Sequence, residues 1–462
     1  MFIKATPYPV YEIYKALEPH FDLFPREESR WSLERYVVGL LADIPRKNCQ
    51  GIADAVPGTS SQRLQELLTN TDWDEQALNT HRVRHLSRAA ACEDGSIIID
   101  DTGIPKQGKS SVGVARQYSG TLGKVGNCQV IVSLQYADER DTWPVNARLY
   151  LPHEWADDSE RRRKAHVPDE VAFKTKADIA LGMLDEADET GVPYQSVVFD
   201  AGYGGCQPFL EKLESRGKHY IGGIPNDFRV KLPEEVEAAA MNPPPPTKPR
   251  GTPRKKPYPN QLAPRRKASD ITASLPEDAW HTITWRQGSY GPLSKQFVFT
   301  RAHRASQKGT GPLGWLIHER PVPGQDGDSK WYFSNLGEDV APERLVELAH
   351  RRHEIERFYQ DAKNELGFDH YEGRLWQGLH RHLILVMWAF SWLALRRNAQ
   401  VERMTNPCAP AYVPKRAGFF PYRLVRASIA AVRRDLLRRL FIAAAAWILY
   451  CLGPGIYQAF RT

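Results

Sequence analysis

Hydrophobic and polar positions change period several times along the chain, and each change marks a change of element. Up to about residue 90 the spacing is helical. Arg26–Ile44 carries Trp31, Tyr36, Val37, Leu40 and Leu41 at near-helical intervals; CQGIADAV, the breaker Pro57-Gly58 and TSSQRLQELL follow. Thr59 and Gln62 fit a capping box opening the second short helix. Helix, tight turn, helix is the outline of a helix-turn-helix. A plain helical hairpin gives the same pattern, and Arg63 is the only basic residue on the second helix.

At Ser96 the period becomes that of strands. SIIID is a β-branched run ending in Asp100-Asp101, and a loop rich in Gly and Lys follows. Residues 128–137 and 143–152 are strand-like, and Phe173–Thr190 is helical. SVVFDAGYGG is a strand that enters a Gly-rich turn at Asp200; Pro208–Arg216 is helical and KHYIGGI is a strand. The predicted order is β-β-β-α-β-α-β, an α/β arrangement with two antiparallel steps followed by crossovers. Residues 242–269 hold nine prolines, eight Lys/Arg and no acid, a composition that builds no core. Strand-like runs return in HTITW, KQFVFT, GWLIHE and KWYFSNL, predicting a β-rich insertion over 278–335. One long helix is predicted from Pro342 to Gly367, and helices thereafter. The apolar runs Leu383–Leu395 and Leu440–Leu452 have 13 residues each, fewer than the ~18–20 that cross a bilayer. Eleven Lys/Arg and two acids lie between Arg396 and Arg439.

Composition narrows the chemistry. In 462 residues, 42% are hydrophobic and 25% charged, which excludes a wholly disordered chain. Six cysteines form no CxxC pair, which removes a zinc ribbon and a disulfide scaffold and suits a reducing cytosol. There is no GxSxG and no HExxH. The net charge of +7 is mild, so its placement matters more than its total. Three acids stand out by position: Asp100 at the end of the first strand, Asp200 at the end of the fourth, and Glu356 on the late helix. Ligands of an open α/β sheet gather beyond the carboxyl ends of its strands, where Asp100 and Asp200 would meet if those strands are neighbours. At ~100° per residue, Arg352 and Glu356 lie about 20° either side of Lys363. Leu348, Ile355, Tyr359, Ala362 and Leu366 form the adjoining apolar stripe. Arg352, Glu356 and Lys363 are thus one narrow polar line at the rim of a core. Each acid alone also fits an ordinary turn or an i,i+4 ion pair.

Taken together, the three acids and this order of elements resemble the ribonuclease H-like fold, and more narrowly the DDE transposases of bacterial insertion sequences. HRRHEIERFYQDAKNELG is similar to the Tyr-(2)-Arg-(3)-Glu-(6)-Lys signature of the insertion sequence 4 group, with Arg352, Glu356 and Lys363 on its last three positions and Ala349 in place of its tyrosine. RKN at 46–48, DDTGIPKQGKSSVGVARQYSGTLGKVGNCQ, LYLPHEW and HYEGRLWQGLHRHLILVMW resemble the insertion sequence 701 group, over about residues 25–395. The resemblance implies a catalytic and metal-binding set of Asp100, Asp200 and Glu356, with Asp101 the competing first acid. Spacings of 100 and 156 residues fit a core interrupted by an insertion. Two Mg²⁺ ions are implied, with Mn²⁺ as a substitute. Arg352, Lys363, Lys106, Lys109 and Arg116 are the expected phosphate or DNA contacts.

The implied organisation is multidomain. A helical DNA-end-binding region spans 1–92, a mixed-sheet core 93–228 and 339–395, the insertion 229–338, and a basic helical region 396–462. The expected partner is double-stranded DNA, both terminal inverted repeats and target, engaged by a homodimer in the bacterial cytoplasm at the nucleoid. A nuclease without strand transfer and a non-catalytic DNA-binding derivative are the competing readings.

Overall fold

Strand β1 (Ser96–Pro105) runs well past SIIID. The computed structural model, which describes residues 11–120, 123–241, 263–288, 291–306, 309–405 and 428–437, gives the reason. Strand β3 (Lys124–Ala137) lies antiparallel to β1 and pairs with it from Ser96–Ala137 to Pro105–Cys128. Asp100-Asp101-Thr102-Gly103 is therefore strand and not a turn. Part of the expected loop is strand too: β2 (Ala115–Ser119) pairs with the first residues of β3. Strand β4 (Thr142–Tyr150) flanks β3, antiparallel. On the other side of β1, β5 (Ser196–Phe199) runs parallel, and β6 (Tyr220–Ile224) runs parallel to β5.

The insertion continues the same sheet. After β7 (Arg229–Lys231) and β8 (Arg266–Lys267) come β9 (His281–Gly288), β10 (Gly291–Ser306), β11 (Gly309–Arg320) and β12 (Lys330–Ser334), matching the four strand-like runs. Strand β12 pairs antiparallel with β6, so twelve strands of the described residues form one mixed sheet. The prolines and basic residues of 242–262, the run Leu440–Leu452 and most of the basic stretch 396–439 lie outside the described residues.

Alternation of side chains divides the sheet into two faces. Ile98, Ile104, Ile131, Val198 and Ile221 face one core, together with α1 (Glu27–Leu41) and the late helices. Ile97, Ile99, Val132, Val197 and Phe199 face the other, packed by α5 (Lys176–Thr190) and α6 (Gln207–Ser215). Between them in sequence come α2 (Cys49–Ala55), α3 (Ser61–Thr69) and α4 (Glu75–Ala89). Trp31, read as part of the apolar stripe of α1, is 51% exposed. The cap of α3 is Ser60, whose Oγ accepts from the Arg63 amide at 3.3 Å, and Gln62 reaches forward to Glu66; the Thr59–Gln62 capping box does not form.

The predicted long helix is two. α7 (Pro342–His350) and α8 (His353–Leu366) are separated at Arg351-Arg352. There the ladder tightens, with the Glu354 and Ile355 amides donating to the Arg351 and Arg352 carbonyls, three residues back. α9 (Trp376–Thr405) contains Leu383–Leu395. Its stretch Trp376–Arg397 is long and apolar enough to cross a membrane, contrary to the length expected from the apolar run alone, but its most apolar 18 residues are 94% buried in the fold. It is the central core helix.

Arg82 of α4 joins this helix to the sheet. Its guanidinium donates to the Pro144 carbonyl (2.6 Å), the Val145 carbonyl (2.8 Å), Asn79 Oδ1 (2.6 Å) and Ser391 Oγ of α9 (2.7 Å), and the residue is 3% exposed. Truncation would strand these buried acceptors and leave a cavity. We expect Arg82→Ala to lower the free energy of unfolding by about 3–5 kcal/mol. Urea unfolding measures this, and an unchanged midpoint would refute it.

Candidate active site

The register of β1 and β5 brings two acids together. Parallel pairing ends at Ile99–Phe199, so Asp100 and Asp200 are the next residues on neighbouring strands. By parity both belong to the face of Ile98 and Val198, the face that carries α8. Asp101 points to the opposite face, where its Oδ1 pairs with Lys176 of α5 at 2.9 Å and its Oδ2 accepts from the Tyr203 hydroxyl at 3.4 Å. Asp200 opens a single helical turn, Ala201–Gly204, and its Oδ1 accepts from the Gly202 and Tyr203 amides at 3.0 and 3.2 Å. Gly204 is required there: a Cβ would stand 1.9 Å from the Gly223 carbonyl oxygen of β6.

The break between α7 and α8 sets two arginines at the sheet. The Arg351 side chain is buried and ties the helices to the start of β1, donating to the Asp94 carbonyl (2.9 Å) and Ser96 Oγ (3.1 Å). Arg352 reaches the acids. Its Nη1 lies 3.3 Å from Asp100 Oδ2, and its Nη2 bonds Glu356 Oε1, one turn along α8. Exposure rises outward, from 13% at Asp100 through 31% at Arg352 to 47% at Glu356. The predicted polar stripe is thus real. Its third member, Lys363, donates to Thr102 Oγ1 at 2.7 Å and so seats α8 on β1.

Asp200, Arg352 and Glu356 line a cleft of about 550 Å³ whose other wall comes from the insertion: Trp285, Arg286, Leu293, Lys330 and Trp331. The expected DNA contacts of the loop after β1 are not gathered here. Lys106 is turned inward, its Nζ on the Tyr371 carbonyl at 2.5 Å. Lys109 is exposed. Arg116 is exposed on β2 opposite Asn127, six residues along β3 from the partner of Asp100, roughly 20 Å away at strand rise.

The sequence pattern of DDE superfamily endonucleases matches residues 19–292 of this chain, more than half of it. The chain belongs to that family. The matched span includes Asp100 and Asp200 and stops short of Glu356, which the fold alone brings to them. The chain is also 24% identical, over 349 residues, to a protein of Microchaete diplosiphon described as a probable transposase for insertion sequence element IS701, covering 75% of this chain and 77% of that one.

Sequence reasoning missed a buried network behind the cleft. Glu319 of β11 is fully buried and meets Lys295 of β10, the Tyr332 hydroxyl (2.7 Å) and His350 Nε2 (3.2 Å) of α7. Burial alone would raise its carboxyl, but His350, Lys295 and Tyr332 hold it down at about 2. His350 also stacks on Trp285, with ring centroids 3.9 Å apart. The network clamps the insertion to the helix that leads into Arg352. The sequence signal was faint: a lone Glu in GWLIHE, with partners 24 residues before it and 31 after.

The donor set facing the cleft consists of carboxylate oxygens, the chemistry of a hard divalent cation such as Mg²⁺. Among the described residues no three acids, imidazoles or thiols are close enough together to hold a metal ion; Arg352 stands between Asp100 and Glu356. Burial pushes the Asp100 carboxyl up to about 7; Arg352 pulls it down and Asp200 pushes it further up. A hydrogen bond from His353, helped by Arg352, holds Glu356 below the ordinary carboxylate range despite its burial.

The sign of the Asp100 effect is definite. Unfolded, it loses its proton near pH 4; folded and metal-free, near pH 7. In that window the native state binds more protons, so this contribution to stability is complete at the acid end and falls as pH rises. We expect the metal-free wild type to lose melting temperature relative to Asp100→Asn as pH is raised from about 4 to about 7. Parallel curves in a chelator-containing buffer would refute the raised value.

Proposed function

We propose that this chain is a transposase that cuts double-stranded DNA at the ends of an insertion sequence and joins the freed 3′-OH ends to target DNA. The observation that carries the reading is the meeting of Asp100 and Asp200 where β1 and β5 part, with Glu356 brought to them through Arg352. The strand order β4-β3-β1-β5-β6, antiparallel across the first two joints and parallel across the last two, supports a ribonuclease H-like core. The similarity to a probable insertion-sequence transposase over three quarters of both chains supports the substrate.

In this reading Asp100, Asp200 and Glu356 would hold two Mg²⁺ ions, or Mn²⁺ in their place, whose chemistry when bound would be to lower the pKa of the attacking oxygen and to stabilise the leaving one. The protein's own groups do the positioning. Arg352 offers a planar fork suited to two oxygens of one phosphate. Arg286 and Lys330, exposed on the insertion wall, bring positive charge to the duplex backbone on the far side of the cleft. Lys363 sets the height of Glu356 over the sheet by fixing α8 to β1. Asp101, held by Lys176 and Tyr203 on the other face, stays out of the reaction. Two element ends call for two copies, a homodimer on DNA, at work on the nucleoid of a bacterial cytoplasm.

Asp100→Asn, Asp200→Asn and Glu356→Gln should each reduce cleavage by at least about 10³-fold while DNA binding stays within a few-fold, since each removes a group that stabilises charge developing in the transition state. Asp101→Asn should retain cleavage. The assay is Mg²⁺-dependent cutting of a plasmid carrying the DNA that flanks the gene, with joined products scored separately. Cutting without joining would reduce the protein to a nuclease. Binding without cutting by the wild type would leave a DNA-binding protein.

A further inference from the structure

Arg352 occupies the place that a cation must take. Both oxygens of Asp100 are engaged, Oδ1 by the Asp101 amide at 2.8 Å and Oδ2 by Arg352 at 3.3 Å. Glu356 is engaged likewise, Oε1 by Arg352 and Oε2 by His353 Nδ1 at 3.4 Å. One guanidinium therefore links acids from β1 and α8. A divalent ion would claim the same oxygens and is repelled by the same charge, so the two cannot share the site.

The arginine is placed to leave. It is 31% exposed and precedes the first residue of α8, at the break in the helical ladder. The residues that hold α8 in the core, Ile355, Phe358, Tyr359, Ala362 and Leu366, form the stripe beside the polar line, and Arg352 lies outside the helix proper, at its N-cap. The guanidinium can turn into the cleft without unpacking them. A DNA phosphate entering that cleft presents oxygens in the geometry that a carboxylate presents, and it is a partner that the acids themselves would reject.

We infer that Arg352 is an exchangeable internal counter-ion, which neutralises Asp100 and Glu356 in the DNA-free chain and releases them to divalent ions when a DNA phosphate takes the guanidinium. This rests on the reading that these acids bind metal. Its consequence is that metal binding and DNA binding are positively coupled, by the same factor in each direction. Without DNA the site stays unloaded, and no hydrolytic oxygen is activated away from the substrate.

Mn²⁺ binding to the full chain, followed by the electron paramagnetic resonance of the free ion, tests the coupling with and without a short DNA duplex. Wild type without DNA should bind Mn²⁺ about tenfold more weakly than Arg352→Gln, and duplex should tighten wild-type binding by about the same factor while leaving the variant unchanged; coupling of this size is usual between linked sites. Arg352→Lys, which keeps the charge but cannot bridge both acids, should fall between them, and it carries the test if Arg352→Gln does not fold. Mn²⁺ should in turn raise wild-type affinity for the duplex by about tenfold. Equal Mn²⁺ affinity of the DNA-free wild type and both Arg352 variants would overturn the inference. If Asp200→Asn and Glu356→Gln bind Mn²⁺ as the wild type does, the metal-binding reading of the acids fails instead.

Discussion

The short parallel pairing of β1 with β5 is the constraint on which the site depends. It ends at Ile99–Phe199, and there the two strands part company. β1 continues because β3 still pairs with it; β5 turns at once into Ala201–Gly204. Two carboxylates are left as neighbours on one face, a placement that opposes charge on Asp100. Burial is the main cause that raises Asp100, and the nearness of Asp200 adds to it. A cation close by offsets this, and the turn at Arg351-Arg352 supplies one. The same feature that destabilises the ionised site makes it receptive to a cation of higher charge.

Buried cations act as joints throughout this fold. Arg82 fastens α4 to β4 and α9 through carbonyls and a hydroxyl. Arg381 of α9 donates to the carbonyls of Leu67, Thr71 and Trp73, tying the core helix to α3 and the chain that follows it. Arg351 fastens the late helices to the first strand. Such groups add little net stability over an apolar core of equal shape, but losing one partner of a buried set is costly. They specify which segments meet. The Glu319 cluster does this for the insertion, and with β12 hydrogen-bonded to β6 it makes the wall of Trp285 and Lys330 continuous with the strands that carry the acids.

Much was legible along the chain, because period is a local property. Strands β1 and β3 to β6, the strands β9 to β12 of the insertion and the helices after β4 and β5 follow from apolar spacing alone, whereas β2 does not. The alignment of Arg352, Glu356 and Lys363 follows from helical geometry, and it survives because Arg352, although at the break, keeps helical backbone angles. What period could not show were matters of pairing. DDTG has the composition of a turn, yet it is strand because β3 lies beside it. Nothing in HRRHE marks an interruption, since no Gly or Pro is present; the helix breaks where Arg351 and Arg352 find partners on β1. Thr59 and Ser60 are equal candidates for a cap until the backbone chooses.

The choice between Asp100 and Asp101 shows the division most clearly. The sequence by itself determined that an acid pair follows a buried β-branched run, and that a second acid follows another. Which member of the pair serves the cleft depends on which face of the strand meets α8 and which meets α5. That is decided by the register of β1 against β5 and β3. A strand sends adjacent residues to opposite sides, so two identical side chains one position apart differ only in what the rest of the fold has put on each side.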